Sequence, residues 1–142
     1  SLLIGSHYPE RFGKIACISG AFIIDDLLIG NPEITGSASN IGHFQNLFGD
    51  IPSLAEDCSR NPWLAAKHTL DANCMPPVYF TCGTDDLLYS RNRKLYNQLK
   101  LSGANITWAE AKGNHDKQFF SCAISNVLDW LVSGSSNSIL PD

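Results

Sequence analysis

A chain of 142 residues, 44% hydrophobic and 17% charged, holds enough apolar side chain for one domain with a core. Its net charge of -4 argues against a nucleic-acid partner, which asks for a basic face. No apolar run approaches the roughly 20 residues that span a bilayer, and no basic-then-apolar leader opens the chain, so neither a membrane nor a secretory role is indicated.

In chain order, Ser1 to Tyr8 reads as the last turns of a helix that Pro9 stops, because the residue before a proline is pushed out of the helical region. Lys14-Ile15-Ala16-Cys17-Ile18-Ser19-Gly20 is a short apolar run of the kind buried on both faces of a parallel sheet. Residues 21–61, broken by Gly30, Pro32, Gly36, Gly42, Gly49 and Pro52, read as an irregular, cap-like excursion. Asn61 and Pro62 then supply a cap and a first position for a helix running to about Asp71. Val78 to Gly83 forms a second buried strand. Leu88, Leu95 and Leu99 recur at helical spacing up to Ser102-Gly103. Asn105 to Ala111 alternates more and suits a strand nearer an edge. After the tight loop Lys112-Gly113-Asn114-His115-Asp116, a last helix is expected to turn Phe120, Ile124, Val127 and Leu131 inward. The tail, about 133–142, is polar and expected to be loose.

Strands alternating with helices imply right-handed crossovers and a parallel sheet, here of about three strands flanked by helices: an α/β fold. Nothing in the sequence covers the inner edge of the Lys14–Gly20 strand. That edge is expected to find a partner by homo-oligomerisation or by association with another segment.

Parallel sheets place working groups just beyond the carboxyl ends of their strands. Here those ends are Ser19-Gly20-Ala21, Gly83-Thr84-Asp85-Asp86 and Gly113-Asn114-His115-Asp116. An acid after one strand and a histidine after the next can move a proton together. The imidazole takes and returns it, and the carboxylate fixes the tautomer and stabilises the imidazolium. Taken alone, either acid could merely cap the following helix, and the histidine could be a solvated loop side chain. Their placement on successive strand ends favours the pair.

Three stretches carry a resemblance. Tyr8-Pro9-Glu10-Arg11-Phe12-Gly13-Lys14-Ile15-Ala16 to Ser19-Gly20-Ala21 resembles the segment after the nucleophile helix in the esterase D and tributyrin-esterase group of α/β-hydrolases. Pro77 to Tyr89 is similar to that group's acid strand. Lys112 to Asp116, with the helix ending Leu128-Asp129-Trp130-Leu131, is similar to its histidine loop and last helix. The resemblance spans nearly the whole chain and is weakest over residues 25–75. It implies the C-terminal part of an α/β-hydrolase fold and a serine carboxylesterase acting on short-chain or simple small-molecule esters, with no cofactor or metal. The family's acid stands fourth in Gly-x-x-Asp, which selects Asp86 over Asp85, and its histidine falls on His115.

The departure is the nucleophile. The family serine sits in Gly-x-Ser-x-Gly, and no such pentapeptide occurs here. Ser19 lacks the first glycine and follows the wrong strand. Ser37 and Ser39 fall in the excursion. All three read as structural. The resemblance places the serine just upstream of Ser1, and the oxyanion hole with it. The opening Ser1-Leu2-Leu3-Ile4, without an initiator methionine, fits a fragment or processed product. By this reading the chain alone is inactive.

Other residues are read more simply. Asp25-Asp26 echoes Asp85-Asp86 but suits a solvent-facing turn, or the lining of an acyl or alcohol pocket. His43 suits surface or cap packing, His7 a helix end, and His68 a wet helix face. Trp63, Trp108 and Trp130 suit packing, although Phe44, Phe48 and Trp63 could shape a pocket. The five cysteines, at 17, 58, 74, 82 and 122, are odd in number and include no Cys-x-x-Cys pair, which fits a reducing, cytoplasmic setting. The spacing of Cys58, His68 and Cys74 matches no familiar zinc pattern. Two rival readings remain: a non-catalytic interaction or scaffold domain on the same fold, and a small flavodoxin-like binding module. The second asks for a phosphate-binding glycine loop that the sequence lacks.

Overall fold

The apolar runs become a three-stranded parallel sheet. The computed structural model describes residues 1–36 and 38–133, with 38–41 and 133 described by backbone alone. Strands β1 (Ile15–Ile18), β2 (Val78–Gly83) and β3 (Ile106–Ala111) stand in the order β1-β2-β3. Both pairings are parallel, with Cys17 opposite Phe80 and Phe80 opposite Trp108. The central strand β2 is buried at every position, which is why its sequence is unbroken by exposed polar residues. β3, at an edge, mixes buried and open positions.

Side chains alternate across a strand, so the sheet has two faces to cover. On one, Ile15, Cys17, Val78, Phe80 and Ile106 pack under α1 (Leu2–His7), α5 (Pro62–Asp71) and α6 (Tyr89–Leu101), through Leu2, Ala66, Leu95 and Leu99. Asn61 starts α5 as its sequence suggests, accepting hydrogen bonds from the Trp63 and Leu64 N–H groups, with Pro62 at the first position. On the other face, Tyr79 and Ala109 meet Val127 and Trp130 of α7 (Lys117–Ser133). The rings of Tyr79 and Trp130 lie 5.3 Å apart. The result is a helix–sheet–helix layering.

Two expectations are corrected. Residues 21–61 are largely helical rather than irregular. They form α2 (Ile24–Ile29), α3 (Pro32–Thr35), α4 (Ala38–Phe48) and a 3-10 turn at Pro52–Ala55. α2 and α3 escape detection because they have only 6 and 4 residues, too few for a period to register. Gly30 in the left-handed conformation ends one, and Asn31-Pro32 starts the next. Ile23, Ile24, Leu27, Ile51 and Leu54 give this segment its own apolar cluster, with Phe44, Phe48 and Leu88 against it. The second correction concerns α7, whose inward face is Phe119, Ala123, Val127 and Trp130. Ile124 and Leu131 are exposed and Phe120 is half-buried. Ala123 is fully buried, and the Trp130 ring packs on Tyr79. The tail beyond Ser133 lies outside the described residues. No helix among those residues is long and apolar enough to cross a membrane.

Candidate functional site

All three strands run parallel, so their carboxyl ends share one rim. What draws the acid and histidine loops together there is a glycine. At Gly83, the last residue of β2, a Cβ would stand 2.3 Å from the carbonyl oxygen of Gly113, so only glycine permits this approach. The loops are then laced by the backbone. The Thr84 N–H donates to the Ala111 carbonyl at 2.9 Å, and the Asp85 N–H to the Gly113 carbonyl at 3.0 Å.

Across this junction Nδ1 of His115 lies 3.0 Å from Oδ2 of Asp86. The Asp86 side chain is wholly buried, whereas the His115 side chain is half exposed. The neighbouring Asp85 is exposed. A carboxylate only accepts, so the Nδ1–H of His115 donates, and Nε2 is left on the half-open ring as the acceptor nitrogen. Phe120 sets the ring plane with an edge-on contact at 5.0 Å between centroids. Phe120 is itself placed by Asp116, whose carboxylate accepts from the Phe119 N–H at 2.9 Å and caps α7.

Burial by itself would push the Asp86 carboxyl up. The Leu88 N–H, the Ser19 hydroxyl and His115 outweigh it and hold the carboxyl below its ordinary value. Asp86 is therefore a buried anion at neutral pH with its hydrogen bonds arranged in advance. Cys82, one turn of strand away, shows the opposite case: burial pushes its thiol up to about 11. It is a packed hydrophobe rather than a nucleophile.

The remaining candidates scatter. Ser19 is buried at the end of β1, beside Asp86. Ser37 and the side chain of Ser39 lie outside the described residues. His7, His43 and His68 are exposed, away from the pair. Phe44 and Phe48 pack within the excursion's own cluster and Trp63 against the main core. Trp63 also lines a cavity of about 390 Å³ between α2, α5 and α6, together with Phe22 and Ile24. Asp26 does not face solvent as expected. It is buried against Arg91 of α6, whose Nε lies 3.0 Å from Oδ2 of the carboxylate. The same guanidinium donates to the Leu87 carbonyl, next to Asp86. Sequence reasoning missed Arg91 because its partner lies 65 residues away and no local pattern joins them. All five cysteines are free, and among the described residues no group of three His, Cys, Asp or Glu side chains could hold a metal ion.

No family model matches this chain. It is 29% identical over 127 residues to an acetyl esterase of Caldicellulosiruptor saccharolyticus, a match covering 89% of this chain and 48% of that protein. Among solved structures it is similar to the fluorophosphonate-binding serine hydrolase FphF and to an S-formylglutathione hydrolase, FrmB, both of Staphylococcus aureus. Each gives a TM-score of 0.76 at 17% identity, over 93% of this chain and 49% of the other. A ferulic acid esterase gives a TM-score of 0.59 at 16% identity, over 92% and 45%. The chain spans about half the length of the proteins it matches. It adopts an esterase-like α/β-hydrolase fold, over a stretch that corresponds to about half of such a protein.

Proposed function

We propose that this chain supplies the acid and the base of a serine carboxylesterase, with Asp86 orienting His115. The observation that carries this reading is the 3.0 Å contact between His115 Nδ1 and the buried Asp86 carboxylate at the carboxyl rim of the sheet. The similarity to an acetyl esterase supports short-chain or simple esters as the substrate class. The nucleophilic serine would stand on a segment beside β1, whose outer edge has no strand partner among the described residues.

The chemistry follows from the geometry. The serine hydroxyl adds to the ester carbonyl while its proton passes to Nε2 of His115. The imidazolium so formed is stabilised by Asp86. Collapse of the tetrahedral intermediate breaks the acyl–oxygen bond, and the departing alkoxide takes that proton. Water then repeats the sequence on the acyl-enzyme, releasing the carboxylic acid and restoring the serine.

The test uses the protein in which this chain is joined to the segment preceding it in its reading frame. Hydrolysis of p-nitrophenyl acetate is followed in wild type, His115→Ala and Asp86→Asn. By analogy with triad enzymes, His115→Ala should lose on the order of 10⁶-fold and Asp86→Asn on the order of 10⁴-fold in kcat. Near-normal turnover in His115→Ala would end the assignment. Wild-type protein that neither hydrolyses the ester nor reacts with a fluorophosphonate would favour the scaffold reading.

A further inference from the structure

Asn92 is polar where the helix pattern asks for an apolar residue. It stands on the stripe of α6 that carries Leu95 and Leu99 into the main core, and it is completely buried. Burying an amide there costs stability unless its polar atoms find partners. They do. Oδ1 accepts from the Gly20 N–H at 3.0 Å, and Nδ2 donates to the Gly20 carbonyl at 2.8 Å and to the Leu88 carbonyl at 2.9 Å. Toward Gly20 the side chain thus behaves as a neighbouring strand would, giving one bond and taking one.

The two residues it joins lie on different loops of the carboxyl rim. Gly20 follows β1, in a turn held from several sides. The Gly20 carbonyl also accepts from the Phe22 N–H at 2.9 Å, and the Ser19 N–H donates to the Thr81 carbonyl at 2.8 Å. Ser19 has a φ of +45°, a strained conformation for a residue other than glycine, which persists only where the surroundings fix it. Leu88 closes the acid loop after β2, and its N–H donates to Oδ1 of Asp86 at 2.8 Å. With Oδ1 held there, Oδ2 faces Nδ1 of His115. We propose that Asn92 is a positioning residue for Asp86: it moors Leu88 to the fixed turn at Gly20, so that the Leu88 N–H keeps the carboxylate turned toward His115. None of its three hydrogen bonds reaches Asp86 or His115, so it acts through Leu88. This rests on the Asp86–His115 reading above.

The test follows p-nitrophenyl acetate hydrolysis in the protein that joins this chain to its preceding segment, with kcat normalised to the folded fraction read from urea denaturation. Asn92→Ala should lose on the order of 10²-fold in kcat, the scale set by a misplacement of about 1 Å, with KM nearly unchanged. Asn92→Ser is the milder variant, should the alanine protein not fold. Its hydroxyl can donate to the Leu88 carbonyl one turn back and then has no donor left for Gly20. It should lose kcat too, though less. Leu99→Ala, fully buried on the same helix, removes packing without touching the tie and should keep the kcat of folded wild type. An equal loss in Leu99→Ala would reduce Asn92 to a matter of stability. The deciding measurement is a double-mutant cycle. Asp86→Ala removes the group on which Asn92 acts, so adding Asn92→Ala or Asn92→Ser to it should change kcat by no more than about twofold. An undiminished loss in that background, or none in the single variants, would overturn the proposal and leave the Asp86–His115 reading intact. Near-normal turnover in Asp86→Ala alone would bring down that reading and the proposal with it.

Discussion

The sheet and the α2–α4 segment are held in different ways. The sheet is covered on both faces by helices from both ends of the chain, so each strand is buried by contributions distant in sequence. The α2–α4 segment has one apolar cluster, drawn almost wholly from its own residues with Leu88 added. Its other ties to the sheet layer include ion pairs, with Arg91 binding Asp26 and Glu33 and Lys94 binding Asp25, and the buried hydrogen bond from Asn61 Nδ2 to the Leu54 carbonyl. The Asp86–His115 pair stands on the first kind of structure. The second borders it and forms one wall of the 390 Å³ cavity. The Asp86–His115 pair thus sits on the layer supported from both ends of the chain.

The comparison breaks most readily in the cores. Phe80 is fully buried at the centre of the sheet, and Leu54 is fully buried in the α2–α4 cluster. Phe80→Ala should cost about 3–5 kcal/mol by urea denaturation, and Leu54→Ala about 2–5. Amide exchange tells the two apart. Phe80→Ala should lower protection throughout, whereas Leu54→Ala should lower it over residues 24–55 and spare β2. Equal loss in β2 from both would show that the regions unfold as one unit.

The ionic seam comes next. Arg91 and Asp26 are both largely buried, so Arg91→Met strands a carboxylate away from water, at a cost on the order of 3 kcal/mol. The Asp26 carboxyl lies below its ordinary value because Arg91 binds it, with Asn31 helping, against the opposing effect of burial. A carboxyl depressed in the fold binds protons more readily when unfolded. Its stabilisation is therefore complete above the ordinary carboxylate range near pH ~4, and is lost as pH falls through that range toward the folded value. Asp86, Asp57 and Glu110 are depressed too and give the same slope. The informative quantity is the difference between wild type and Arg91→Met, measured from pH 7 to pH 3. That difference should shrink on acidification. A constant difference would remove Asp26 from the seam.

The same division explains what could be read from the sequence. Strands buried on both faces leave an unbroken apolar run, and Val78 to Gly83 announces itself for that reason. The Asn61-Pro62 start of α5 is legible because a cap is a local bond. The loops bearing Asp86 and His115 were locatable because parallel strands deliver their ends to one rim, but the close approach that joins them depends on Gly83 against Gly113, a contact 30 residues apart. α2 and α3 were hidden by their brevity, and Arg91 by a partner that is distant in sequence. On α7 both the Phe119 and Phe120 stripes are apolar, so periodicity alone could not say which one the sheet would take.

The smallest effect tests the end of α2. Gly30 closes that helix at φ +65°, and no atom lies within 4 Å of where a Cβ would stand. Gly30→Ala therefore meets no clash, only the cost of a left-handed conformation, about 1–2 kcal/mol. Gly30→Asn should cost less, because asparagine visits that region more readily. Asn31 follows directly, capping α3 and donating through Nδ2 to Asp26, so a disturbed turn at Gly30 loosens the Arg91 seam as well. Amide exchange should thus quicken over residues 24–35 in Gly30→Ala and stay unchanged in β2 and β3. Were β2 to quicken equally, the turn would be part of the sheet's own cooperative unit, and the α2–α4 segment would lose the independence that its separate cluster implies.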